Sequence, residues 1–408
     1  MRGLVSYVPH EGVSLSLYSG LDKLHSRYPD ILLGFCSGNP ATLINPRFSG
    51  QSSARNSGIQ NIDFRADWLL LGVHLERKDH PFSELGVRFR GLEDWLGHSP
   101  FDFDAIKEEG RRLEAAFVAP PGFDCQISEE TRVIFDTNLS WSIGSNRFEI
   151  GYSCTVRIAP TSQQSIFWFE KKLADLASFF SLLTGEAVYP TAILGKTTTS
   201  DDVPPFIVFA PHWDLDLPRR PTGCLLWYQS IENCFGSILR EWFAFCGPYR
   251  PVWSVLVNSL WQPKQFLDSH FLSIIQALEG LHRRDNPGFY VPDDVYEKVG
   301  SALEKAIPAG TDNSLRQALK EKLKWGNEFS LRRRLRELVN SLPPQIVAPV
   351  CKPVEDLPNE LADARNAIAH CVVTPNPCPD DYLNCLAIQA RNLLRALVLR
   401  KKLASLTR

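Results

Sequence analysis

The segment LADARNAIAH, residues 361–370, holds an arginine, an asparagine and a histidine at close spacing. On a helix, Asn366 and His370 are four residues apart and share a face, and the long Arg365 side chain can reach the same place. Metal-independent RNA cleavage needs proton transfer at the 2′-oxygen and at the leaving 5′-oxygen, which histidine can perform near neutral pH. A permanently charged arginine stabilises the negative charge of the transition state. The three residue types therefore fit a ribonuclease site in which the substrate's own 2′-hydroxyl is the nucleophile, although their spacing alone is a weak signal.

The same spacing also fits an ordinary helix, in which Arg365 pairs with Asp363 or Glu360 and His370 is a plain polar residue. Arg365 and His370 side by side on an open groove would favour the enzyme. Burial of both side chains in ion pairs would favour a scaffold without catalytic activity.

A second group of charged residues lies at the end of an upstream helix predicted over 266–284. Glu279 and His282 can hold Arg365 or His370 in place, or supply a second proton-transfer group. The alternative is an exposed helix end whose cations interact with the helix dipole. The arginines that can track RNA phosphates are Arg283, Arg284, Arg332, Arg333 and Arg334. For this basic run the alternative is a solvated helix face.

The elements that must position these residues are predicted to be helical from about residue 224 onward. Apolar residues recur at helical spacing there, and Pro and Gly separate the segments. The predicted helices are 225–245, 252–261, 266–284, 292–306, 313–324, 331–340, 359–372 and 381–406. Asn359 is the predicted N-terminal cap of the helix that carries the site.

The preceding part of the chain is predicted to be β-rich. Short alternating segments, such as 68–75, 84–89, 132–136, 139–143 and 148–158, favour a sandwich or open barrel. One helix interrupts them at 166–184, with Gly185 as its cap, and strands 188–194 and 205–209 follow. Residues 49–58 are predicted to form a loop, and 211–223 a linker. The chain is thus an α+β protein with a β-rich domain over 1–222 and an all-α domain over 223–408.

Composition excludes some classes of protein and leaves nucleic-acid binding open. The net charge is −2, but residues 231–408 hold 23 Lys and Arg against 19 Asp and Glu, which permits an anionic ligand. No apolar run is long enough for a membrane helix, and the N-terminus does not resemble a signal peptide, so we expect a cytoplasmic protein. The ten cysteines form no C-x-x-C pair, which predicts buried thiols and neither a zinc site nor a cofactor.

Three blocks in this order resemble the ApeA-type domain of the HEPN superfamily: FLSIIQALEGLHRR (271–284), GNEFSLRRRLREL (326–338) and ARNAIAH (364–370). The resemblance covers roughly residues 260–400. The earlier segments LVSYVPHEGVSLSLYSG (4–20) and GLEDWLG (91–97) resemble the ApeA N-terminal domain.

The resemblance implies a helical domain that commonly dimerises, so that two Arg–His motifs meet in one composite site. It also implies an endoribonuclease of anti-phage, abortive-infection defence, with RNA as the target, a homodimer or higher oligomer, and no membrane partner. The β-rich domain is then a possible sensor of a phage-derived trigger protein. Two alternatives stay open: a catalytically silent HEPN interaction module and an RNA-binding protein without cleavage.

Overall fold

A computed structural model describes residues 2–8, 11–18, 29–53, 60–97, 101–102, 116–119, 122–198, 205–210, 224, 226–262, 265–351, 356–370 and 379–403. The chain divides into two compact units, Met1–Cys246 and Gly247–Arg408. The first unit is rich in strands and the second is helical. This arrangement confirms the predicted α+β class.

Antiparallel strands dominate the first unit, and its described residues form two larger sheets. The four-stranded sheet has the order β1-β2-β6-β5 and the nine-stranded sheet the order β12-β13-β14-β9-β16-β17-β7-β4-β3. Two short pairs, β8 with β15 and β10 with β11, stand apart from them. The bounds are β1 Arg2–Val8, β2 Gly12–Tyr18, β3 Ile31–Cys36, β4 Asn39–Ile44, β5 Arg47–Ser53, β6 Gln60–Ala66, β7 Trp68–Leu71, β8 Pro81–Phe82, β9 Glu84–Phe89, β10 Phe101–Asp102, β11 Ala116–Phe117, β12 Asp124–Ser128, β13 Thr131–Ile143, β14 Phe148–Pro160, β15 Gln164–Ser165, β16 Pro190–Lys196 and β17 Phe206–Phe209.

Two of these strands differ from the sequence prediction. Strand β5 occupies part of the stretch 49–58 that was predicted as a loop, because its small polar residues pair with β6. Strand β13 runs unbroken where two strands, 132–136 and 139–143, were predicted. Its partner β14 continues beside it without a register shift, so nothing interrupts the ladder.

The helices of the first unit are α1 (Leu92–Leu96), α2 (Ile166–Thr184), α3 (Tyr228–Ile231) and α4 (Phe235–Cys246). Helix α2 confirms the prediction over 166–184, and Gly185 ends it at φ 84°, a left-handed conformation that glycine adopts without strain. Aromatic side chains join these helices in the core. The ring centroid of Trp95 lies 5.5 Å from Phe180 and 5.7 Å from Phe235.

The boundary between the units follows α4. The helix predicted over 225–245 is broken into α3, a 3₁₀ turn at Glu232–Cys234 and α4. Trp242 of α4 donates its indole N–H to the carbonyl of Asp175 at 2.9 Å, which ties α4 to α2. The predicted boundary at 222–223 and the linker 211–223 lie outside the described residues, so both stay predictions.

The second unit is helical, with bounds α5 Arg250–Trp261, α6 Leu267–Asp285, α7 Asp293–Lys305, α8 Asn313–Lys324, α9 Leu331–Asn340, α10 Pro344–Cys351, α11 Leu357–Ala369 and α12 Asp380–Leu403. Helices α6 and α12 supply most of its buried apolar side chains, among them Phe271, Leu278 and Leu394. Helix α10 was missed because Pro343 and Pro344 predicted a loop. Proline is tolerated in the first turn of a helix, where its missing N–H has no partner to lose.

Two further expectations concern membranes and thiols. None of the described helices is long and apolar enough to cross a membrane. The cysteines whose side chains are described are either buried or half-buried: Cys36, Cys125, Cys154, Cys224, Cys234, Cys246 and Cys385.

Candidate active site

Helix α11 carries the predicted ribonuclease residues near its C-terminal end. It begins at Leu357 after the cap residue Asp356, and Pro358 lies in its first turn. The predicted start at Asn359 was therefore wrong, because the proline fits the first turn and the chain becomes helical before it. The described helix ends at Ala369 with His370 as its C-terminal cap. The predicted continuation to residue 372 lies outside the described residues.

Asn366 connects the other two residues of the motif. Its Oδ1 accepts a hydrogen bond from Nη1 of Arg365 at 3.1 Å, and its carbonyl oxygen accepts one from the backbone N–H of His370 at 3.1 Å. Arg365 is half-buried, and Asn366 and His370 are exposed. The local geometry thus places a cation and an imidazole at one solvent-facing end of the helix.

The alternative in which Arg365 pairs with Asp363 is not found. Asp363 forms an ion pair with Arg332 of α9 instead. In the described part of the chain, neither Arg365 nor His370 has an ion-pair partner. Among the described residues the buried ion pairs expected of a scaffold are therefore not found, and a groove shared by Arg365 and His370 stays a prediction.

Helix α9 orients α11. Arg332 meets Asp363, and Nη2 of Arg336 donates to Oδ1 of Asn359 at 3.5 Å. Because the residue number rises on α9 while it falls on α11, the two helices run antiparallel. His370 lies seven residues beyond Asp363, about 10 Å further along the axis. The motif therefore extends past Leu331, where α9 begins.

His282 is buried, with 3% of its surface exposed, and both of its ring nitrogens have partners. Its Nε2 lies 2.8 Å from Oε2 of Glu337, and its Nδ1 lies 3.0 Å from Nη1 of Arg334. A guanidinium can only donate, so Nδ1 is the acceptor and Nε2 carries the proton that it donates to Glu337. That hydrogen bond, helped by Arg333, lowers the pKa of Glu337.

These contacts separate His282 from His370. His282 is level with Arg334 and Glu337, beside the first turns of α11, whereas His370 lies about ten residues further along that helix. At 1.5 Å per residue the separation along the axis is on the order of 15 Å. The structure therefore does not bring the two histidines together.

Glu279, the other predicted supporting residue, is engaged on its own helix. Its Oε1 accepts from Nε of Arg283 at 3.0 Å, and Arg283 also pairs with Glu328 at 2.6 Å. Glu279 thus fixes a surface arginine one turn away.

The five predicted RNA-contacting arginines differ in exposure. Arg283, Arg284 and Arg332 are exposed and Arg333 is half-buried, so contact with RNA stays a prediction for these four. The prediction for Arg334 is wrong, because its side chain is completely buried.

Arg334 instead belongs to the interior of the helical unit. Its Nε donates to the carbonyl of Phe329 at 3.1 Å, and its Nη2 lies 3.6 Å from Glu328. Gly288 makes room for it: a Cβ there would lie 2.4 Å from Nη1 of Arg334, and the φ of 69° also favours glycine.

Sequence reasoning missed Glu337, which joins three residues. It binds His282 and Arg333, and Nδ2 of Asn286 donates to it at 3.3 Å. The i,i+4 spacing of Arg333 and Glu337 was a visible signal of an ion pair. The partner on α6 was not visible, because it depends on how the helices pack.

Comparison with protein-family models decides the family. Residues 1–242 match ApeA N-terminal domain 1, and residues 272–401 match the Apea-like HEPN domain. This chain belongs to the ApeA family. The resemblance predicted from the sequence blocks is confirmed, and Arg365, Asn366 and His370 lie inside the HEPN match. Comparisons with curated proteins and with solved structures returned no match.

No group of three or more His, Cys, Asp or Glu side chains among the described residues is placed to hold a metal ion. Metal independence of any reaction nevertheless stays a prediction, since ligands can also come from residues outside that set or from the substrate.

Proposed function

We propose that this ApeA-family chain is a HEPN endoribonuclease whose site residues are Arg365, Asn366 and His370. The observation that carries the proposal is the solvent-facing end of α11, where Arg365 and His370 occur together on an Apea-like HEPN domain. Neither side chain forms an ion pair with any of the described residues. Both are accessible to a phosphodiester.

The proposed reaction is an intramolecular transesterification of RNA. His370 accepts the proton of the substrate 2′-hydroxyl, and the 2′-oxygen attacks the adjacent phosphorus. The bond to the 5′-oxygen breaks, and this leaving oxygen must receive a proton. The products are a 2′,3′-cyclic phosphate and a 5′-hydroxyl. Arg365 stabilises the extra negative charge on the phosphoryl oxygens in the transition state.

Asn366 acts in this proposal as a positioning residue. Its side-chain oxygen holds the guanidinium of Arg365, and its carbonyl oxygen closes the last helical turn onto His370. Loss of the amide would leave Arg365 present but less well oriented, whereas the backbone contact to His370 would remain.

A second His370 is proposed as the acid that protonates the leaving oxygen. One motif supplies one histidine, and His282 is buried with both nitrogens occupied. A two-fold symmetric dimer places like residues opposite each other, so a second copy can supply the missing group. The active form is thus at least a homodimer with a composite site.

In the cell, we propose a role in abortive infection. The β-rich unit would sense a phage-derived trigger, and the helical unit would then cleave RNA in the cytoplasm. This assignment rests on the family, because the fold of the first unit alone does not identify a trigger.

Expression of the wild-type chain beside His370→Ala, with and without phage, tests the proposal. We expect growth arrest and fragmented RNA with the wild type under infection, and neither with His370→Ala. His74→Ala, an exposed histidine in the first unit, is the control. If RNA stayed intact in every wild-type culture, and the variants gave the same result, the chain would instead be a silent interaction module or an RNA-binding module.

A further inference from the structure

Strands β13 and β14 form a hairpin that continues beyond the rest of its sheet. They pair along thirteen residues each. Thr131 is opposite Pro160 at the base, and Ile143 is opposite Phe148 at the tip. Strand β12 pairs with β13 only as far as Ile134, and β9 pairs with β14 only from Val156 to Ile158. Beyond these limits the described residues provide no third strand.

One face of this hairpin is mainly apolar from base to tip, with Thr131, Thr137 and Tyr152 as its polar members. Side chains alternate between the two faces of a strand. Because the register does not shift, every second residue of both strands points to the face that packs on the core at the base of the hairpin. At the base this face holds Val133, Phe135, Val156 and Ile158, all of them buried. Toward the tip the same face carries Leu139, Trp141, Ile143, Phe148 and Ile150, all of them exposed. We call these five residues the tip face.

The opposite face of the tip is polar, and its residues pair as Asn138 with Ser153, Ser140 with Gly151, and Ser142 with Glu149. The contrast excludes a general excess of apolar residues at the surface. Trp141 is 67% exposed and Ile143 is 77% exposed, so none of the described residues covers them. The alternation of apolar and polar residues therefore continues past the end of the core. Such a pattern is expected of a surface that another molecule covers.

We propose that the tip face binds the tip face of a second copy of this chain. The proposal does not depend on ribonuclease activity. A two-fold interface requires a surface that complements itself. The tip face contains no charged side chain, so like residues meet without repulsion. Two such faces can pack as stacked sheets do, about 10 Å apart with interdigitated side chains.

The available area is sufficient for a specific pair. From the exposed fractions of its Trp, Phe and three aliphatic side chains, the tip face offers on the order of 500 Å². This lies in the range of the largest apolar patch on a typical monomer, which is often functional. Two copies would together bury about 1,000 Å², the lower limit for a specific interface.

The charge pattern argues against a lipid surface as the occupant. Membrane-binding apolar faces are commonly flanked by Lys and Arg, which attract anionic headgroups. The cation near the tip, Arg147, is paired with Glu149. The hairpin therefore offers apolar contact without electrostatic attraction.

Sedimentation of the full chain across a concentration series tests the proposal. Trp141→Ser, alone and with Ile143→Ser, should lower the mass of the assembly twofold. Trp325→Ser is the matched control, because that tryptophan has the same 67% exposure in the helical unit. Ser142→Ala with Glu149→Ala changes the polar face of the same hairpin. Both controls should keep the wild-type mass. An unchanged mass for the Trp141 variants would overturn the proposal. That result would also be obtained if the tip face binds another protein or a lipid instead of a second copy.

A cross-linking measurement covers the case in which the serine variants disturb the hairpin. Phe148 is replaced by benzoylphenylalanine, which preserves an aromatic ring at this 53% exposed position. Irradiation should join position 148 of one copy to residues 139–150 of a second copy. Cross-links confined to one chain, or to other parts of a second copy, would contradict the proposed contact.

Discussion

The guanidinium of Arg334 donates a hydrogen bond to Nδ1 of His282 at 3.0 Å, and both side chains are buried in the helical unit. The same imidazole donates from Nε2 to Glu337. The histidine therefore acts as a bridge between a buried cation and a carboxylate. This bridge lies at the middle of α9, on the order of 15 Å from His370 along the helix axis, so it supports the fold without taking part in the proposed chemistry.

His282→Ala should destabilise the helical unit by about 2–4 kcal/mol, because the buried Arg334 loses a partner that nothing replaces. Thermal unfolding monitored by circular dichroism measures the effect. His270→Ala, a half-buried histidine on the same helix, provides the comparison. The bridge would be dispensable if His282→Ala lowered the unfolding midpoint no more than His270→Ala does.

Stability should depend on pH through Glu337. The hydrogen bond from His282, with help from Arg333, lowers the pKa of this carboxyl in the folded state. A lowered pKa contributes stability above the ordinary glutamate pKa of about 4.3, and the contribution is lost as pH falls through the folded value. The wild type should therefore be more stable than Glu337→Gln by the largest amount near neutral pH, and this difference in stability should shrink in acid. Unfolding midpoints between neutral and acidic pH measure this, and a constant difference would contradict it.

Arg332 is predicted to contact RNA phosphate even though it pairs with Asp363. Arg332→Ala should weaken RNA binding. It should also reduce, by about 0.7, the slope of the logarithm of the binding constant for single-stranded RNA against the logarithm of the salt concentration. Fluorescence anisotropy at several salt concentrations, in a His370→Ala background that does not cut, measures both. Asp363→Ala removes the ion pair but keeps the cation. Equal losses in the two variants would show that the ion pair, and not phosphate contact, matters.

Much of this architecture was predictable where local pattern determines it. Helix α2 and its Gly185 cap follow from apolar spacing and from the need for a left-handed residue at the helix end. Strand β9 was predicted with its observed bounds, because its alternation is clear. The order of the nine-stranded sheet was not predictable, since long-range pairing leaves no local signal.

The candidate site shows the same division. The Arg365, Asn366 and His370 spacing was readable, and so was the family. The burial of Arg334 was not, because within a run of arginines only helix packing determines which one faces inward. The distance between His282 and His370 likewise depends on the antiparallel arrangement of α9 and α11, which the sequence does not specify.

A composite site should allow two defective chains to restore activity. Mixing His370→Ala with Arg365→Ala should recover a small part of the cleavage rate, because a mixed dimer holds one His370 and one Arg365 across the interface, whereas each variant alone lacks one of these groups entirely. The rate should stay well below that of the wild type, because the second His370 is missing. Cleavage of a labelled RNA by each variant alone and by the mixture measures this. A mixture no more active than its components would indicate that each site is complete within one chain.

The central claim is cleavage by 2′-hydroxyl attack with His370 as the proton-transfer group. The most direct measurement uses an RNA that the purified wild type cuts, in EDTA, beside the same RNA with a 2′-deoxy sugar at the cut position. We predict a 2′,3′-cyclic phosphate product from the all-ribose strand and no cut at the deoxy position. We also predict a rate reduced by about 10²–10⁴-fold in His370→Ala. Cutting at the deoxy position, or full activity of folded His370→Ala, would contradict the account.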